Sequence, residues 1–325
     1  MRRFAYACAL ATIAALAAGS RSTVGQERGN PFIDHSDTGE TIHVLPPPAA
    51  IRSPRDTAPT DAPAHKGLSV FPASYGSGNL IDHGGREISL AGFFAIYWNG
   101  SVANSAGTQG NADLRSTVQN FILDYSDGQP YSQTDPSADY SIVQQYGSTD
   151  AIDATLAWAG DFVDNRATKP TISDSNVRSY IAGLFSSGTL VADEHTIFGV
   201  YFPSGMKIST QGGTSCSAFC GYHGHFSYNG LDVKYAVFPY TDCRACSVSG
   251  KNVADILTIV SSHEIREAVT DPDLNAWFDA PGYEADDKCA WHNLYQTARG
   301  NFWVQPEYSN GDGVTYPGPG CVVPR

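Results

Sequence analysis

The sequence predicts a single α/β (α+β) domain built on a mixed sheet. Apolar runs of strand length, such as ISLAGFFAIYW at residues 88–98, alternate with segments of helical spacing. A helix predicted at residues 251–271 is apolar on both sides and therefore buried. The globular part, residues 68–325, is long enough to bury one sizeable core, and the order of its strands stays open.

Residues 1–25 have the pattern of a secretory signal peptide. Arg2 and Arg3 precede an apolar, alanine-rich run from Phe4 to Ala18, which is short for a transmembrane helix and is followed by small and polar residues. We therefore expect a secreted protein, extracellular or periplasmic, with no membrane span once the signal is removed.

Residues 26–67 are predicted to form a proline-rich, disordered linker or prosegment. Apolar periodicity is weak here, and prolines recur through the segment. Its most apolar part, Ile42–Leu45, has the length to dock as a short strand. An inhibitory propeptide and a plain spacer both stay open as roles for the segment.

The acidic composition bears on the class of partner. The chain has 20 Lys and Arg against 33 Asp and Glu, a net charge of -13. Nucleic acids and anionic membrane surfaces attract basic patches, so neither is expected as a partner.

Six cysteines remain outside the signal peptide. An even number in an exported chain predicts about three disulfides, with the connectivity open. The C-x3-C and C-x2-C spacings leave a zinc knuckle as the alternative. The six residues are Cys216, Cys220, Cys243, Cys246, Cys289 and Cys321.

Further elements follow from spacing. Two amphipathic helices are predicted, Asn111–Tyr125 and Ser173–Phe185, the second capped by Ser173. Short apolar runs predict four strands in addition to 88–98: Tyr140–Tyr146, Ala154–Val163, Thr196–Phe202 and Val233–Tyr240.

The predicted helix at 251–271 carries the residues with the clearest chemistry. His263, Glu264, Glu267 and Asp271 continue its apolar stripe, and buried charges need a partner, a proton or a metal ion. The HExxE spacing places His263 and Glu267 one turn apart, as in the HExxH helix of zinc peptidases. Zinc accepts carboxylate oxygen, so the pair is able to bind it. Structural His–Glu pairs, hydrogen-bonded within the core, are the alternative.

Two histidines upstream are candidates to complete such a site. They lie in the stretch CSAFCGYHGHFSY, where His223 and His225 point the same way if the stretch is a strand. Exposed histidines in a glycine-flanked turn are the alternative.

The acidic loop after the helix offers further ligands. Glu284, Asp286 and Asp287 lie beside Cys289, and Asp273 follows His263 by ten residues, where one zinc peptidase class has its third ligand. An oxygen-rich loop also suits Ca²⁺, or it is simply solvated. The sequence does not choose among these third ligands.

Taken together, these motifs resemble the Exordium family, also called the phosphate-induced protein family, and in particular its bacterial members. The matching stretches are CSAFCGYHG, SHEIREAVTDPDLNAWFD, EADDKC and WVQPEYSN, in one order between about Ile88 and Cys321. The family pattern includes Glu284 and Asp287 but not Asp273, which weakens Asp273 as a ligand. The resemblance implies an extracellular protein, and in plants the family is linked to growth and cell expansion.

Two functions are compatible with these residues. In the first, a secreted zinc-dependent hydrolase of zincin-like architecture, a peptidase by analogy, uses Glu264 as general base on a metal-bound water. Its metal ligands are His263 and Glu267, completed from Glu284, Asp287 and His223. Two carboxylate ligands would weaken the Lewis acidity of the ion, which counts against this function.

In the second, the protein is a non-catalytic extracellular module that binds a cell-wall polymer or another extracellular protein such as a receptor. The same helix then holds a structural metal ion or a hydrogen-bonded cluster. Trp277, Trp291 and Trp303 would offer stacking surfaces for sugars, with core packing as their alternative role.

Overall fold

The computed structural model describes residues 29–51, 61, 68–126, 128–132 and 139–324. The signal peptide predicted at 1–25 lies outside these residues. Within them, no helix combines the length and the apolarity needed to cross a membrane.

The structure confirms a mixed α/β fold. Its strands are β1 (Ile33–His35), β2 (Thr41–Leu45), β3 (Ser69–Phe71), β4 (Ile81–Asp82), β5 (Ala91–Tyr97), β6 (Leu156–Val163), β7 (Thr171–Ser173), β8 (Thr196–Tyr201), β9 (Lys207–Ser209), β10 (Gly221–Tyr228), β11 (Leu231–Phe238), β12 (Trp277–Phe278), β13 (Tyr295–Gln296), β14 (Trp303–Val304), β15 (Glu307–Ser309) and β16 (Gly320–Val323). The helices are α1 (Gly100–Ala103), α2 (Leu114–Tyr125), α3 (Asp174–Ser186) and α4 (Val253–Thr270), with 3-10 turns at Ser141–Tyr146, Arg244–Cys246 and Asp287–Cys289.

Seven strands form the central sheet, in the order β1-β2-β10-β11-β8-β5-β6. The pairs β11–β8, β8–β5 and β5–β6 are parallel, whereas β1, β2, β10 and β11 pair with one another antiparallel. Strand β8 is buried along its whole length and β5 nearly so, as parallel strands covered on both faces require. Helix α4 packs on the antiparallel half, which is where the functional side chains lie.

The predicted helices are confirmed, and so is the one N-terminal cap that was predicted, Ser173. Asp113 accepts a hydrogen bond from the backbone N–H of Ser116 at the start of α2, and Ser173 caps α3 as predicted. Helix α4 begins after Asn252, whose side chain accepts a hydrogen bond from the backbone N–H of Asp255. Every residue of α4 after Val253 is buried, so its polar groups face the interior rather than water.

The strand predicted at Tyr140–Tyr146 is wrong. Residues Ser141–Tyr146 form a 3-10 turn, and Tyr140, Val143 and Tyr146 are all fully buried. Their spacing of three residues fits the three-residue period of that helix. Composition alone cannot decide whether a short apolar run forms a strand or a helix. The two differ in which residues of the run lie on the buried face, and a short run is too brief to show that pattern.

The largest difference from the sequence-based expectation lies at the N-terminus. Residues 29–51, which belong to the segment predicted as a disordered linker, are part of the domain, with β2 paired to β10 as the docking of Ile42–Leu45 predicted. The backbone carbonyl of Pro46 accepts a hydrogen bond from Trp291 Nε1 (2.8 Å), and the triplet Pro46–Pro48 is buried. Proline indicates a segment that is irregular or lies at the edge of a sheet. It does not indicate whether that segment is ordered, which depends on the contacts that neighbouring residues make.

Three disulfides are present, as predicted. Each pair has an S–S distance of 1.99–2.08 Å, which excludes a zinc knuckle at the paired thiols. Two of the bridges join the entry of β10 to the turn that precedes α4, and the third anchors the acidic loop to β16. The pairs are Cys216–Cys243, Cys220–Cys246 and Cys289–Cys321.

Candidate metal centre

Helix α4 presents three ionisable side chains to the sheet. His263, Glu264 and Glu267 are fully buried, and the i, i+4 spacing places His263 Nε2 3.0 Å from Glu267 Oε2. The helix approaches β10 closely because Gly221 has no side chain. A Cβ at this position would lie 2.4 Å from Val260 Cγ1 and 2.9 Å from Glu264 Oε1.

Strands β2 and β10 supply two more histidines. His43 and His223 are directly opposite each other in the antiparallel ladder, so their side chains leave the same face of the sheet, with ring centroids 5.8 Å apart. His223 is fully buried and His43 is 5% exposed. The structure therefore places the predicted ligand His223 beside His43, which the sequence analysis does not single out.

A signal for His43 is visible in hindsight. In the stretch IHVL, Ile42 and Val44 pack on one face of the sheet, while Leu45 packs with the core that includes α4. His43 lies on the same face as Leu45, since alternate residues of a strand share a face. A histidine at a core-facing position of an apolar strand is the pattern that a buried ligand produces.

The acidic loop supplies the remaining carboxylates. Glu284 and Asp287 are fully buried beside the 3-10 turn Asp287–Cys289, which the Cys289–Cys321 disulfide fixes to β16. Asp286 does not face the centre. It forms a two-armed ion pair with the buried guanidinium of Arg266, so its charge is already compensated.

Histidines and carboxylates alternate in a closed ring of contacts. Each histidine lies within 4 Å of two carboxylates of the ring, and each of these carboxylates lies within 4 Å of two histidines. The six separations are His43 Nδ1–Glu284 Oε2 3.0 Å, Glu284 Oε2–His223 Nε2 3.6 Å, His223 Nδ1–Glu267 Oε2 3.8 Å, Glu267 Oε2–His263 Nε2 3.0 Å, His263 Nε2–Asp287 Oδ1 3.6 Å and Asp287 Oδ2–His43 Nδ1 3.8 Å.

Eight buried polar atoms of this cluster have no hydrogen-bond partner among the residues that the structure describes. An unsatisfied buried polar atom is rare in a native protein, and eight in one place require an explanation. They are His43 Nδ1, His223 Nε2, His263 Nε2, Glu264 Oε1, Glu267 Oε2, both carboxylate oxygens of Glu284, and Asp287 Oδ1.

The other polar atoms of several of these groups are held from outside the centre. The backbone N–H of Asp287 donates to Glu267 Oε1 (2.9 Å), and the backbone N–H of Glu284 donates to Asp287 Oδ2 (3.0 Å). His223 Nδ1 and Glu264 Oε2 are hydrogen-bonded to each other (3.2 Å). These contacts orient one unpartnered atom of each group inward, as outer hydrogen bonds do for metal ligands.

Burial sets the protonation states of the cluster. It lowers the pKa of His43 to about 4 and that of His223 to about 3, so both imidazoles are neutral, the form that binds metal ions. Burial raises the pKa of Glu264 well above its usual range, and neighbouring carboxylates raise it further. Burial also favours a higher pKa for Glu267. The neighbouring histidines, of which His263 has the largest effect, outweigh burial and lower the pKa of Glu267 to about 2.

Groups of these side chains could hold a metal ion. Three overlapping triads bring their ligand atoms within 4.8 Å of one another: His43 with Glu284 and Asp287, His223 with Glu264 and Glu267, and His263 with Glu267 and Asp287. The HExxE helix and the acidic loop therefore meet, as the sequence predicted.

Two candidates lie elsewhere, and Asp271 borders the cluster. Asp271 ends α4, where its carboxylate accepts hydrogen bonds from the backbone N–H groups of Asn275 and Ala276, and its proximity helps to raise the pKa of the buried Glu284 carboxyl. Asp273 is ion-paired with Lys234, outside the buried centre. His225 is partly exposed and pairs with Asp232 (2.9 Å).

The three tryptophans are all engaged within the protein. Trp291 is 1% exposed and belongs to the core. Trp277 Nε1 donates to Glu87 (2.9 Å), and the ring of Trp303 lies under Lys251 Nζ at 3.2 Å from its centroid. Trp291 is therefore excluded as a stacking surface for sugars in this structure.

Comparisons with family models, curated proteins and solved structures found no match for this chain. The resemblance to the Exordium family and the zincin-like architecture accordingly stay predictions, and the case for function rests on the site itself.

Proposed function

We propose that this protein binds a metal ion in the centre formed by His43, His223, His263 and the facing carboxylates, and that the ion has a structural role in a non-catalytic extracellular module. The observation that carries the proposal is that eight buried polar atoms without a hydrogen-bond partner lie in one cluster of histidines and carboxylates, which contains three overlapping groups able to hold a metal ion. Buried carboxylates without compensating charge are costly, and a divalent cation compensates several of them at once.

The origin of the ligands favours a structural role. They come from four separate parts of the chain: β2, β10, α4 and the loop that contains Glu284 and Asp287. An ion bound here would hold the N-terminal hairpin β1–β2 and the acidic loop against the same helix. Binding free energy would therefore contribute directly to folding.

The burial of the centre points the same way. All seven side chains are 0–5% exposed, so the centre is closed off from solvent. A catalytic ion needs an open coordination position and a path for substrate. A structural ion needs neither.

Three imidazoles limit the kind of ion. Ca²⁺ takes oxygen ligands, so the histidines do not suit it, although the sequence left it open. Imidazole with carboxylate suits zinc and the other first-row transition ions. Zn²⁺ thus stays among the proposed cofactors.

Compartment and partner are part of the proposal. Three disulfides favour an oxidising compartment, in keeping with the signal-like residues 1–25 and the Exordium resemblance. We propose an extracellular protein or a cell-wall polymer as the partner class, since the net charge of -13 disfavours nucleic acid.

A zinc-dependent hydrolase is the second candidate, and Glu264 is the observation in its favour. Its Oε1 atom is unpartnered and lies beside the metal-binding atoms, where a general base would lie. Its Oε2 atom, however, is hydrogen-bonded to His223 Nδ1. We therefore assign Glu264 the role of orienting His223 rather than that of activating water.

Glu264→Gln distinguishes the two candidates. The metal-loaded wild type and this variant would be assayed against peptide, ester and glycan substrates, with metal content measured in parallel. We expect no metal-dependent turnover in either protein, and an affinity of the variant for metal lowered by about 10-fold to 100-fold through loss of an outer contact. Turnover that requires metal and disappears in Glu264→Gln would overturn the structural role and establish the hydrolase.

A further inference from the structure

We propose that the protein binds a neutral polysaccharide chain in an elongated polar cleft, which crosses from α3 over β10 and β11 to the loop that follows α4. This inference rests on the proposed function, because it takes the protein to be a non-catalytic extracellular module. It deepens that function by naming the partner and the place where the partner binds. The side chains that line the cleft are different from those of the metal centre.

The cleft consists of three adjoining cavities, with volumes of about 280, 750 and 40 Å³. Glu40, Arg178 and Phe226 line both the first and the second cavity. Asp232 and Asp273 line both the second and the third. Cavities that share walls form one continuous depression, and its elongated outline suits a chain better than a compact ligand.

The charges along the cleft are matched. Arg178 is ion-paired with Glu40 (2.9 Å). Lys234 is ion-paired with Asp232 (3.2 Å) and with Asp273. The chain as a whole has a net charge of -13, so this balance is a property of the cleft and not of the surface in general. A charged ligand would have to displace one of these partners, and charge complementarity therefore favours a neutral ligand.

A second metal site is not what this arrangement provides. His225, Asp232 and Asp273 bring their ligand atoms within 4.8 Å of one another. The ammonium group of Lys234, however, contacts both aspartates and already compensates their charge. These carboxylates therefore do not require a cation from solution.

Hydroxyl groups match the polar groups of the cleft. An ionised carboxylate only accepts hydrogen bonds, whereas the cations of Arg and Lys only donate them. A sugar hydroxyl does both, so it bonds to the spare lone pairs and N–H groups of an ion pair without breaking the pair. Phe226, Leu231 and Leu274 are half-buried in the wall of the cleft and offer apolar surface to the C–H faces of sugar rings.

The edge of β10 points to a peptide as the other class of partner. Strand β10 continues to Tyr228, whereas its pairing with β2 ends at His223. A peptide added to that edge would run along residues 224–228. The cleft instead crosses several elements, with walls from α3, β10, β11 and the loop after α4. Its direction therefore favours the polysaccharide.

The test is affinity electrophoresis of the full-length protein in gels that contain a soluble polysaccharide. Neutral β-glucan, xyloglucan and mannan are the probes, and polygalacturonate and chitosan are the anionic and cationic comparisons. We expect retardation by at least one neutral polysaccharide. The retardation should be equal at low and at high salt, because screening does not weaken binding of an uncharged ligand.

Ser227→Trp should abolish this retardation. Ser227 is exposed and lines both of the larger cavities, so an indole at this position obstructs the cleft. Ser249→Trp is the matched control, because Ser249 is an exposed serine that does not line the cleft. Asp232→Asn keeps the shape of its side chain and should lower the affinity about 10-fold, as loss of one hydrogen bond to a charged group does.

Several results would overturn the inference. They are absence of retardation by every neutral polysaccharide, retardation that Ser227→Trp leaves unchanged, and stronger retardation by polygalacturonate or chitosan. Capture of phage-displayed peptides that Ser227→Trp blocks, without retardation by polysaccharide, would assign the cleft to a peptide instead.

Metal content and release of reducing ends are measured in the same samples. A chain that holds its ion but binds no polysaccharide would overturn this inference alone. Release of reducing ends from a bound polysaccharide would overturn the non-catalytic role.

Discussion

Removing the metal ion with a chelator should lower the thermal unfolding temperature by about 10 °C. Binding to the native state alone stabilises it by about 4 kcal/mol when free metal is a thousandfold above Kd, and each kcal/mol corresponds to about 2–4 °C in a domain of this size. The effect is expected because chelation leaves buried carboxylates next to neutral imidazoles.

Calorimetry of the same sample with and without chelator, and again after metal is restored, measures this shift. Chelator saturated with metal beforehand is the control, since it contributes the same ionic strength without removing the ion. Residues 29–51 should also become accessible to protease in the metal-free protein, because their hairpin is joined to the centre through His43. An unchanged unfolding temperature would show that the ion is not structural.

His43→Ala is the single substitution that we expect to have the largest effect on metal affinity. It removes one of three nitrogen donors, and loss of an outer contact alone typically costs 10-fold to 100-fold. We therefore expect at least a 100-fold rise in Kd, measured by competition with a chromophoric chelator. Amide exchange should increase in β1 and β2, which lose their attachment to the acidic loop.

His35→Ala is the matched control for this experiment. His35 lies in the same hairpin, paired with Thr41, but its side chain is exposed and takes no part in the centre. The two variants change the same residue type in the same element. Equal affinities for His43→Ala and the wild type would remove His43 from the ligand set.

Much of the fold could be predicted because local pattern and tertiary role agree. The apolar stripe of helix α4 continues into polar residues on the same face. The helices Leu114–Tyr125 and Asp174–Ser186 have clear caps and periodicity. The 3-10 turn at Ser141–Tyr146 is mistaken for a strand because six residues are too few to distinguish one period from the other.

The site was only partly predictable, for a different reason. His263 and Glu267 share one helix, so their proximity follows from spacing, and Glu284 and Asp287 follow soon after in the chain. His43 comes from a segment whose prolines suggested a linker, and only the pairing of β2 with β10 brings it opposite His223. Contacts between distant strands depend on sheet order, which the sequence left open.

The most direct test of the central claim is the metal content of the purified chain, measured by mass spectrometry after exposure to Mn²⁺, Fe²⁺ and Zn²⁺ and removal of loosely bound ions. The double substitution His263→Ala with Glu267→Gln, which removes two donors from α4, is measured alongside. The account predicts one ion per chain in the wild type and none in the double variant. A folded wild-type chain without a stoichiometric ion would contradict it.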